Sequence, residues 1–216
     1  MSPWLREVTY GNPNDIYLPY LKEDGGYNSL YESLKDHPFP PNDSEATKDE
    51  LRELLNYQNS DIQKHENIVF RFMAYDEDLI GTLKKYCIEK IGHNEDELIN
   101  DIIESTKSLF IKLKFYYQRP RPYQLAQYHK AKLFPSASTS ALSPSYPSGH
   151  TFQAKLVCEV LGNKYVEHND YLQKLAHDVE LSRLYLGLHF QSDNDFALIV
   201  AQKVISSKPF TTKYGI

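Results

Sequence analysis

The chain has 216 residues, of which 41% are hydrophobic, enough for one sizeable core. Its 24 basic and 29 acidic residues give a formal net charge of -5. This charge argues against a general nucleic-acid binder, because affinity for a phosphate backbone comes from clustered Lys and Arg. No stretch reaches the roughly 18 to 20 consecutive apolar residues of a membrane span, so neither a nucleic-acid partner nor a membrane span is expected.

The first residues, from Met1 to Val8, contain no apolar segment behind a basic start and therefore predict no secretory signal. Cytoplasmic residence is expected, or a periplasmic or secreted location if a leader has been removed. The two cysteines, Cys87 and Cys158, lie in apolar helical patterns. That position favours buried free thiols over a disulfide.

Residues 1–45 are rich in Tyr, Asn, Asp, Gly and Pro and show no sustained periodicity of apolar residues. The segment His37-Pro38-Phe39-Pro40-Pro41 predicts an extended backbone that leads into the first helices, because a residue before proline is disfavoured in the α region. We expect an irregular arm that packs through its aromatic side chains on a catalytic body of residues 46–216. The same aromatics are equally compatible with a homo-oligomer, and that alternative stays open.

Helical periodicity begins at Thr47, where the order Thr47-Lys48-Asp49-Glu50 predicts a capping box and a helix to about residue 57. Apolar residues at helical spacing then predict helices over about 61–74 and 79–91. The longest apolar pattern follows, from about 94 to 117. These segments indicate a core built from helices.

The helix that ends near residue 117 carries Lys114 in its last turn. Pro120 and Pro122 are expected to stop it, because a proline lacks an amide donor and crowds the preceding turn. Residues 134–147 then form a Ser/Pro/Ala loop that buries little apolar surface and is expected to border a site.

Helical patterns resume over 149–167, 170–186 and about 193–206, and no alternating strand or internal repeat is visible. The predicted fold class is therefore all-α, as a single-domain helical bundle.

Three short blocks carry more charge than core packing would require: Lys114 with Arg121-Pro122, Pro147-Ser148-Gly149-His150, and Ser182-Arg183 with His189 and Asp193. Phosphoryl transfer spreads negative charge over equatorial oxygens, and fixed cations around them lower the barrier. Lys114, Arg121 and Arg183 can supply these cations. Arg119, beside the same prolines, is a further candidate or a surface partner for a carboxylate.

The second block lies at a loop-to-helix junction. Ser148 is a natural N-cap and Gly149 lets the backbone approach a ligand, so the first amides of the helix are expected to face an anion. His150, in the first turn, faces the same place and can protonate a leaving oxygen.

The third block predicts an activated nucleophile. Asp193 follows His189 by four residues, so its carboxylate can hold the Nδ1 proton and leave Nε2 free to attack phosphorus. The expected reaction is a double displacement without a metal, through a phosphohistidine on His189. It requires His189 neutral and His150 protonated, which predicts a mildly acidic optimum and a bell-shaped pH profile.

The strings Lys114-x6-Arg121-Pro122, Pro147-Ser148-Gly149-His150 and Ser182-Arg183-x5-His189-x3-Asp193 resemble the signature of the type 2 phosphatidic acid phosphatase (PAP2) superfamily. That superfamily includes class A non-specific acid phosphatases, membrane lipid phosphatases, glucose-6-phosphatase and vanadium haloperoxidases. The fuller string Lys114-x4-Arg119-x-Arg121-Pro122 is most similar to the bacterial class A enzymes.

The resemblance implies the helical bundle shared by acid phosphatases and vanadium haloperoxidases. It also implies the following roles: Lys114, Arg121, Ser148, Gly149 and Arg183 bind phosphate, His150 is the acid, His189 the nucleophile and Asp193 its partner. The expected enzyme is a metal-independent phosphomonoesterase for a small phosphorylated substrate. It needs no cofactor, and vanadate or phosphate is expected to be able to occupy its site.

Four alternatives are compatible with parts of this pattern. A vanadium haloperoxidase would use the same residues, but the chains of such enzymes look much longer than 216 residues. A soluble lipid or pyrophosphate phosphatase would differ from the expected enzyme only in its substrate. A phosphate-binding module with a dead site would not require both His150 and His189. A metal phosphohydrolase could use His177-Asp178, but no supporting histidine cluster accompanies that dipeptide.

Overall fold

The computed structural model describes residues 3–22 and 25–216. Its helices, in chain order, are α1 (Leu18–Lys22), α2 (Asn28–Leu34), α3 (Glu45–Gln58), α4 (Glu66–Tyr86), α5 (Asp96–Tyr117), α6 (Pro122–Ala126), α7 (Gly149–Lys164), α8 (Asn169–Tyr185), α9 (Gln191–Ile205) and α10 (Lys208–Tyr214). Shorter helical turns cover Pro3–Glu7, Asp15–Tyr17, Asp61–Lys64, Cys87–Ile91 and Val166–His168. No strand occurs among these described residues, and the all-α prediction is confirmed.

Helix α7 forms the centre of the bundle. It packs against α4, α5, α8 and α9, and its side chains at Leu156, Val157 and Leu161 are fully buried. A helix that is apolar around most of its circumference has to be covered on all sides. The N-terminus of α7 is thereby fixed next to the end of α5 and the start of α9. Across the described ranges, no helix combines the length and the apolar composition that a bilayer crossing would need.

The segment 1–45 is less irregular than predicted, because its described residues include α1 and α2. Both helices pack on α5, and Leu5, Tyr27 and Leu34 are buried. The expected packing of this arm on the rest of the chain is therefore present. Residues 1–2 and 23–24 of the arm lie outside the described residues, and the division at residue 45 stays a prediction.

The start of α3 differs from the predicted capping box. The N-cap is Ser44, whose Oγ accepts a hydrogen bond from the Thr47 N–H at 3.1 Å. Thr47 lies within the first turn of the helix, and its hydroxyl donates to the Pro41 carbonyl at 2.8 Å. Glu50 consequently makes no capping bond in α3, and its carboxylate binds Arg119 instead.

The two helices predicted between residues 61 and 91 form one continuous element with a bend. Asp78 interrupts α4 with φ -152° and ψ 75°, and the segment Asp61–Lys64 is a separate short turn. Before the bend, Asp76 lies one turn from Phe72 and from Leu79, and all three side chains are buried. This helix therefore directs one carboxylate into the core.

The second half of the chain follows the predicted order with two additions. Helices α7, α8 and α9 begin and end within a few residues of the expected positions. The short helices α6 and α10 were not predicted, because five and seven residues are too few to show a period. Pro122 opens α6 at a position where its missing N–H costs no helix hydrogen bond.

The turn between α8 and α9 depends on Gly187. Its φ of +68° lies in the left-handed region of the Ramachandran plot. Residues other than glycine adopt this backbone conformation only at a cost in free energy. An added Cβ would lie 3.0 Å from Gln58 Nε2 and 3.4 Å from Pro135 Cα. This turn brings residues 188–193 back toward the start of α7.

We expect Gly187→Ala to lower the free energy of unfolding by about 1–2 kcal/mol, the cost of a left-handed residue, with a further loss from its contacts. Gly215→Ala is the matched control, since Gly215 has a φ of +71° but open space around its Cβ position. Urea unfolding measures both. An equal loss in the two variants would contradict the contact at Gly187.

Candidate active site

The end of α5 and the start of α6 place two buried cations, Lys114 and Arg121. Helix α5 ends where Gln118 takes a left-handed φ of 55°, and the chain then turns through its prolines into α6. Lys114 Nζ donates to the Pro144 carbonyl at 2.5 Å, and Arg121 Nε donates to the Ser143 carbonyl at 2.9 Å. Within the described part of the chain, neither cation has a carboxylate partner.

Burial and neighbouring cations destabilise the charges of both Lys114 and Arg121. Burial lowers the pKa of Arg121 to about 10, and the Arg183 guanidinium contributes to that shift. Burial also lowers the pKa of Lys114 well below its ordinary value, with Arg121 as the next cause. Like charges held close together in a site that excludes water favour a bound anion.

Arg183 supplies the third cation and binds Asp76. Its Nη2 donates to Asp76 Oδ1 at 2.7 Å, and both side chains are buried. The other donors of this guanidinium, Nε and Nη1, are buried without a hydrogen-bond partner among the described residues. Unpaired buried donors cost free energy, so they indicate a missing acceptor at this position.

Asp76 is a site residue that the sequence analysis missed. Besides Arg183, its Oδ1 accepts hydrogen bonds from the hydroxyls of Ser138 at 2.9 Å and Ser140 at 2.8 Å. Burial alone would raise the pKa of Asp76, but the Arg183 charge and these hydrogen bonds outweigh it and lower the pKa. The pair therefore stabilises the fold above the ordinary Asp pKa of about 3.9 and loses that contribution as pH falls through the lowered value.

A sequence signal for Asp76 does exist. It lies at helical spacing from Phe72 and Leu79, on the apolar face of α4, where a carboxylate requires a partner. Its neighbours Glu77 and Asp78 conceal that position, because three successive acidic residues indicate a solvated face.

Ser148 and Gly149 form the junction before α7, as predicted, but Ser148 does not cap the helix with its side chain. Its hydroxyl is 2.9 Å from the Thr151 hydroxyl, and its N–H donates to the Asp193 carbonyl at 3.0 Å. A Cβ at Gly149 would lie 3.4 Å from Phe110 Cε1, so glycine permits the close approach of α7 to α5.

His189 is held at both ring nitrogens. Its Nδ1 lies 3.2 Å from Asp193 Oδ2, and its Nε2 lies 2.7 Å from Arg121 Nη1. Because a guanidinium can only donate, Nε2 carries the lone pair and the ring proton is on Nδ1, facing the carboxylate. Burial, then the Arg121 charge, lowers the pKa of His189 well below its ordinary value. Both the hydrogen bonds and this lowered pKa favour a neutral imidazole, although Nε2 is bonded to Arg121 and is not free as the sequence predicted.

Asp193 is fully buried at the third position of α9, where its Oδ2 accepts from the Phe190 N–H at 2.9 Å. This bond satisfies a free amide at the helix start and fixes the carboxylate in position. Burial raises the pKa of Asp193, and the neighbouring Arg119 charge opposes the rise.

Arg119 was a candidate phosphate ligand, and the structure places it elsewhere. Its Nη1 donates to Asp193 Oδ1 at 2.6 Å and its Nη2 to Glu50 Oε2 at 2.9 Å. The guanidinium also lies 4.2 Å from the centre of the Phe190 ring. With both Nη groups bound to carboxylates, Arg119 supports Asp193 from behind instead of contacting an anion beside His189.

His150 is half-buried and lies among the cations. Burial lowers the pKa of His150 well below its ordinary value, and Arg183 lowers it further, while Asp76 opposes the shift. The anion-free site therefore disfavours the protonated His150 that the predicted reaction requires. A bound anion would offset the cations and favour protonation.

A cavity of about 240 Å³ adjoins Lys114, Gly149 and His150. Its walls are largely apolar, with polar groups at a few positions; the lining side chains include Tyr17, Ile103, Lys107, Phe110, Ile111, Phe152 and Gln153. Among the described residues, no group of three or more His, Cys, Asp and Glu side chains is arranged to hold a metal ion.

The fold and the site define an all-α protein with a buried, cation-rich anion site. The family model described as the PAP2 superfamily matches residues 101–205, which include every motif residue from Lys114 to Asp193. This segment of the chain, just under half of its length, belongs to the PAP2 superfamily.

Two individual proteins are similar to this chain. A non-specific acid phosphatase from Providencia stuartii is 30% identical over 122 residues, which are 55% of this chain and 48% of the relative. The chain thus matches about half the length of that relative. A transmembrane PAP2-type phosphatidylglycerolphosphate phosphatase from Bacillus subtilis matches 92% of each chain at 20% identity and a TM-score of 0.41, too low to support an argument.

We expect Asp76→Asn to lower the free energy of unfolding at pH 7 by roughly 3–5 kcal/mol, because Arg183 would stay buried without a counter-charge. Urea unfolding is the measurement. Glu77→Gln removes the same charge from the exposed adjacent position and should change stability by less than about 0.5 kcal/mol. Equal losses in the two variants would show that the Asp76–Arg183 pair does not stabilise the fold.

Proposed function

We propose that the protein is a metal-independent phosphomonoesterase that forms a phosphohistidine on His189. The match of residues 101–205 to the PAP2 superfamily supports a phosphatase. The observation that carries the proposal is Arg183, whose Nε and Nη1 are buried and unpartnered beside two cations without carboxylates. A phosphate group supplies the acceptors and the negative charge that this arrangement requires.

Lys114, Arg121 and Arg183 bind the phosphoryl oxygens, and the N-terminus of α7 adds backbone donors at Gly149 and His150. Arg121 at present donates to His189 Nε2, so substrate oxygens have to draw it away before the ring can react. The same guanidinium then binds the phosphoryl group in line with the freed nitrogen. Ser148 holds the junction through its bonds to α9 and Thr151.

In the first step, the lone pair of His189 Nε2 forms a bond to phosphorus while the bond to the ester oxygen breaks. His150 donates its proton to the departing oxygen, so the product leaves as a neutral alcohol. Asp193 holds the Nδ1 proton and stabilises the positive charge that develops on the ring. In the second step, the now neutral His150 takes a proton from water, the resulting hydroxide attacks phosphorus, and the bond to Nε2 breaks.

The cavity beside His150 would receive the leaving group. Its apolar walls at Phe110 and Phe152 favour a leaving group with an apolar surface, such as an aryl or alkyl alcohol. An aryl phosphate is accordingly the substrate of choice for a first assay. Phosphate or vanadate is proposed to occupy the phosphoryl position, with no other cofactor.

We expect the protein to hydrolyse an aryl phosphate between pH 5 and 7, and His189→Ala to abolish turnover because no other group can form the intermediate. His177→Ala, which alters an exposed histidine on α8, is the control and should retain wild-type activity. Orthovanadate should inhibit competitively and EDTA should have no effect. Activity lost in EDTA and restored by a divalent ion would reject the metal-free reaction.

Inorganic phosphate should raise the pKa of His150, because the bound anion offsets the Arg183 and Arg121 charges that lower it. A pH titration of the ring followed by NMR, with phosphate or with chloride at equal ionic strength, measures this shift. The protonated acid would then exist in the substrate complex and give a mildly acidic optimum for kcat. The same titration midpoint in phosphate and in chloride would reject His150 as a group that faces the anion.

A further inference from the structure

We infer that Glu50 is a positioning residue for the reaction at His189, acting through Arg119 on Asp193. The inference rests on the proposed function and extends it to a residue of α3, outside the segment that the family model matches. Glu50 lies far from the motif in sequence, and none of the roles discussed above requires it to contact substrate.

The first observation is that both oxygens of the Glu50 carboxylate accept hydrogen bonds. Oε2 accepts from Arg119 Nη2 at 2.9 Å, and Oε1 accepts from the Ser192 N–H at 2.7 Å. The side chain is 12% exposed, so both bonds lie in a partly buried setting. Ser192 directly precedes Asp193, and Glu50 therefore holds both the guanidinium and the backbone next to the catalytic carboxylate.

The second observation is the enclosed position of Arg119 between two carboxylates. Its side chain is completely buried, and Nη1 binds both Asp193 Oδ1 at 2.6 Å and the Ser192 hydroxyl at 2.7 Å. The ring of Phe190 covers one side of the guanidinium at 4.2 Å. Arg119 is therefore held between the Glu50 and Asp193 carboxylates and links the two.

The charges in this group explain why a second carboxylate matters. Asp193 and Arg119 alone would form a neutral pair, and the carboxylate would do little for a positive charge on His189. With Glu50 present, two negative groups share one positive group, and a net negative charge remains beside Nδ1. That charge stabilises the imidazole ring most strongly when Nε2 has bonded to phosphorus.

An ordinary structural ion pair would predict a different outcome. Loss of a purely structural pair lowers stability and affects substrate binding and turnover alike, through misplaced residues. The positioning role predicts a selective loss of the chemical step, because Glu50 contacts none of the three cations proposed to bind phosphate. The structural role and the positioning role can therefore be distinguished by measuring kcat and phosphate affinity together.

The test is Glu50→Gln, with aryl phosphate turnover and the inhibition constant of inorganic phosphate measured on the same preparation. We expect kcat to fall roughly 10- to 100-fold, the range found when outer partners of metal-binding histidines are removed, while the inhibition constant changes less than about twofold. Formation of the phosphoenzyme, trapped in an alkaline quench, should slow by the same factor. Glu53→Gln, an exposed residue on the same helix, is the matched control and should behave as wild type.

Two results would overturn the inference: an unchanged kcat in Glu50→Gln, or equal loss of kcat and of phosphate affinity. If Glu50→Gln does not fold, Glu50→Asp decides, because it keeps the charge but shortens the reach to Arg119. A reduced kcat with unchanged phosphate affinity then supports the role, and an unchanged kcat rejects it. Absence of turnover in the wild type rejects the proposed phosphatase as well, whereas an active wild type with an equally active Glu50→Gln rejects only the role of Glu50.

Discussion

Positive charge is buried where α5, α7 and α8 meet, and the carboxylates that reach it do not balance it. Lys114 and Arg121 bind carbonyl oxygens, and Arg183 shares one of its donors with Asp76. Cations in such a setting raise one another's free energy, and the rest of the fold has to offset that cost. Helix α7, apolar around most of its surface, contributes the compensating burial. The anion site is therefore a strained part of a stable bundle, as is common at sites that bind or react.

The nearby carboxylates bind Arg183 and Arg119 and leave Lys114 and Arg121 without a counter-charge. Asp76 binds one side of Arg183, and Asp193 and Glu50 bind Arg119 from two sides. None of these contacts neutralises Lys114 or Arg121. An acidic side chain placed between the cations would stabilise the fold and exclude a negatively charged ligand. The arrangement of charge thus favours the binding of an anion at the expense of a more stable fold.

Site residues that lie at short motif spacing are recognisable in the sequence, whereas residues that reach the site from distant helices are not. Motif spacing and the predicted helix ends were enough to identify four site residues: Lys114, Arg121, His189 and Asp193. Arg119 was ambiguous, since only tertiary contacts show that both of its Nη groups bind carboxylates. Most helices were predictable from their apolar period, whereas α6 and α10 were too short to show one. Glu50 was assigned to a capping box, because Ser44 and Thr47 offer equally plausible helix starts and only the hydrogen bonds distinguish them.

Two of the three carboxylates come from parts of the chain that precede the motif. Asp76 belongs to α4 and Glu50 to α3, whereas the segment 101–205 contributes the cations and Asp193. A fragment limited to that segment would bury Arg119 and Arg183 with one carboxylate between them, in addition to two uncompensated cations. The segment 101–205 therefore depends on the earlier helices for two of its carboxylate partners. A recombinant boundary drawn at the family match would remove Glu50 and Asp76, the carboxylates that α3 and α4 contribute to Arg119 and Arg183.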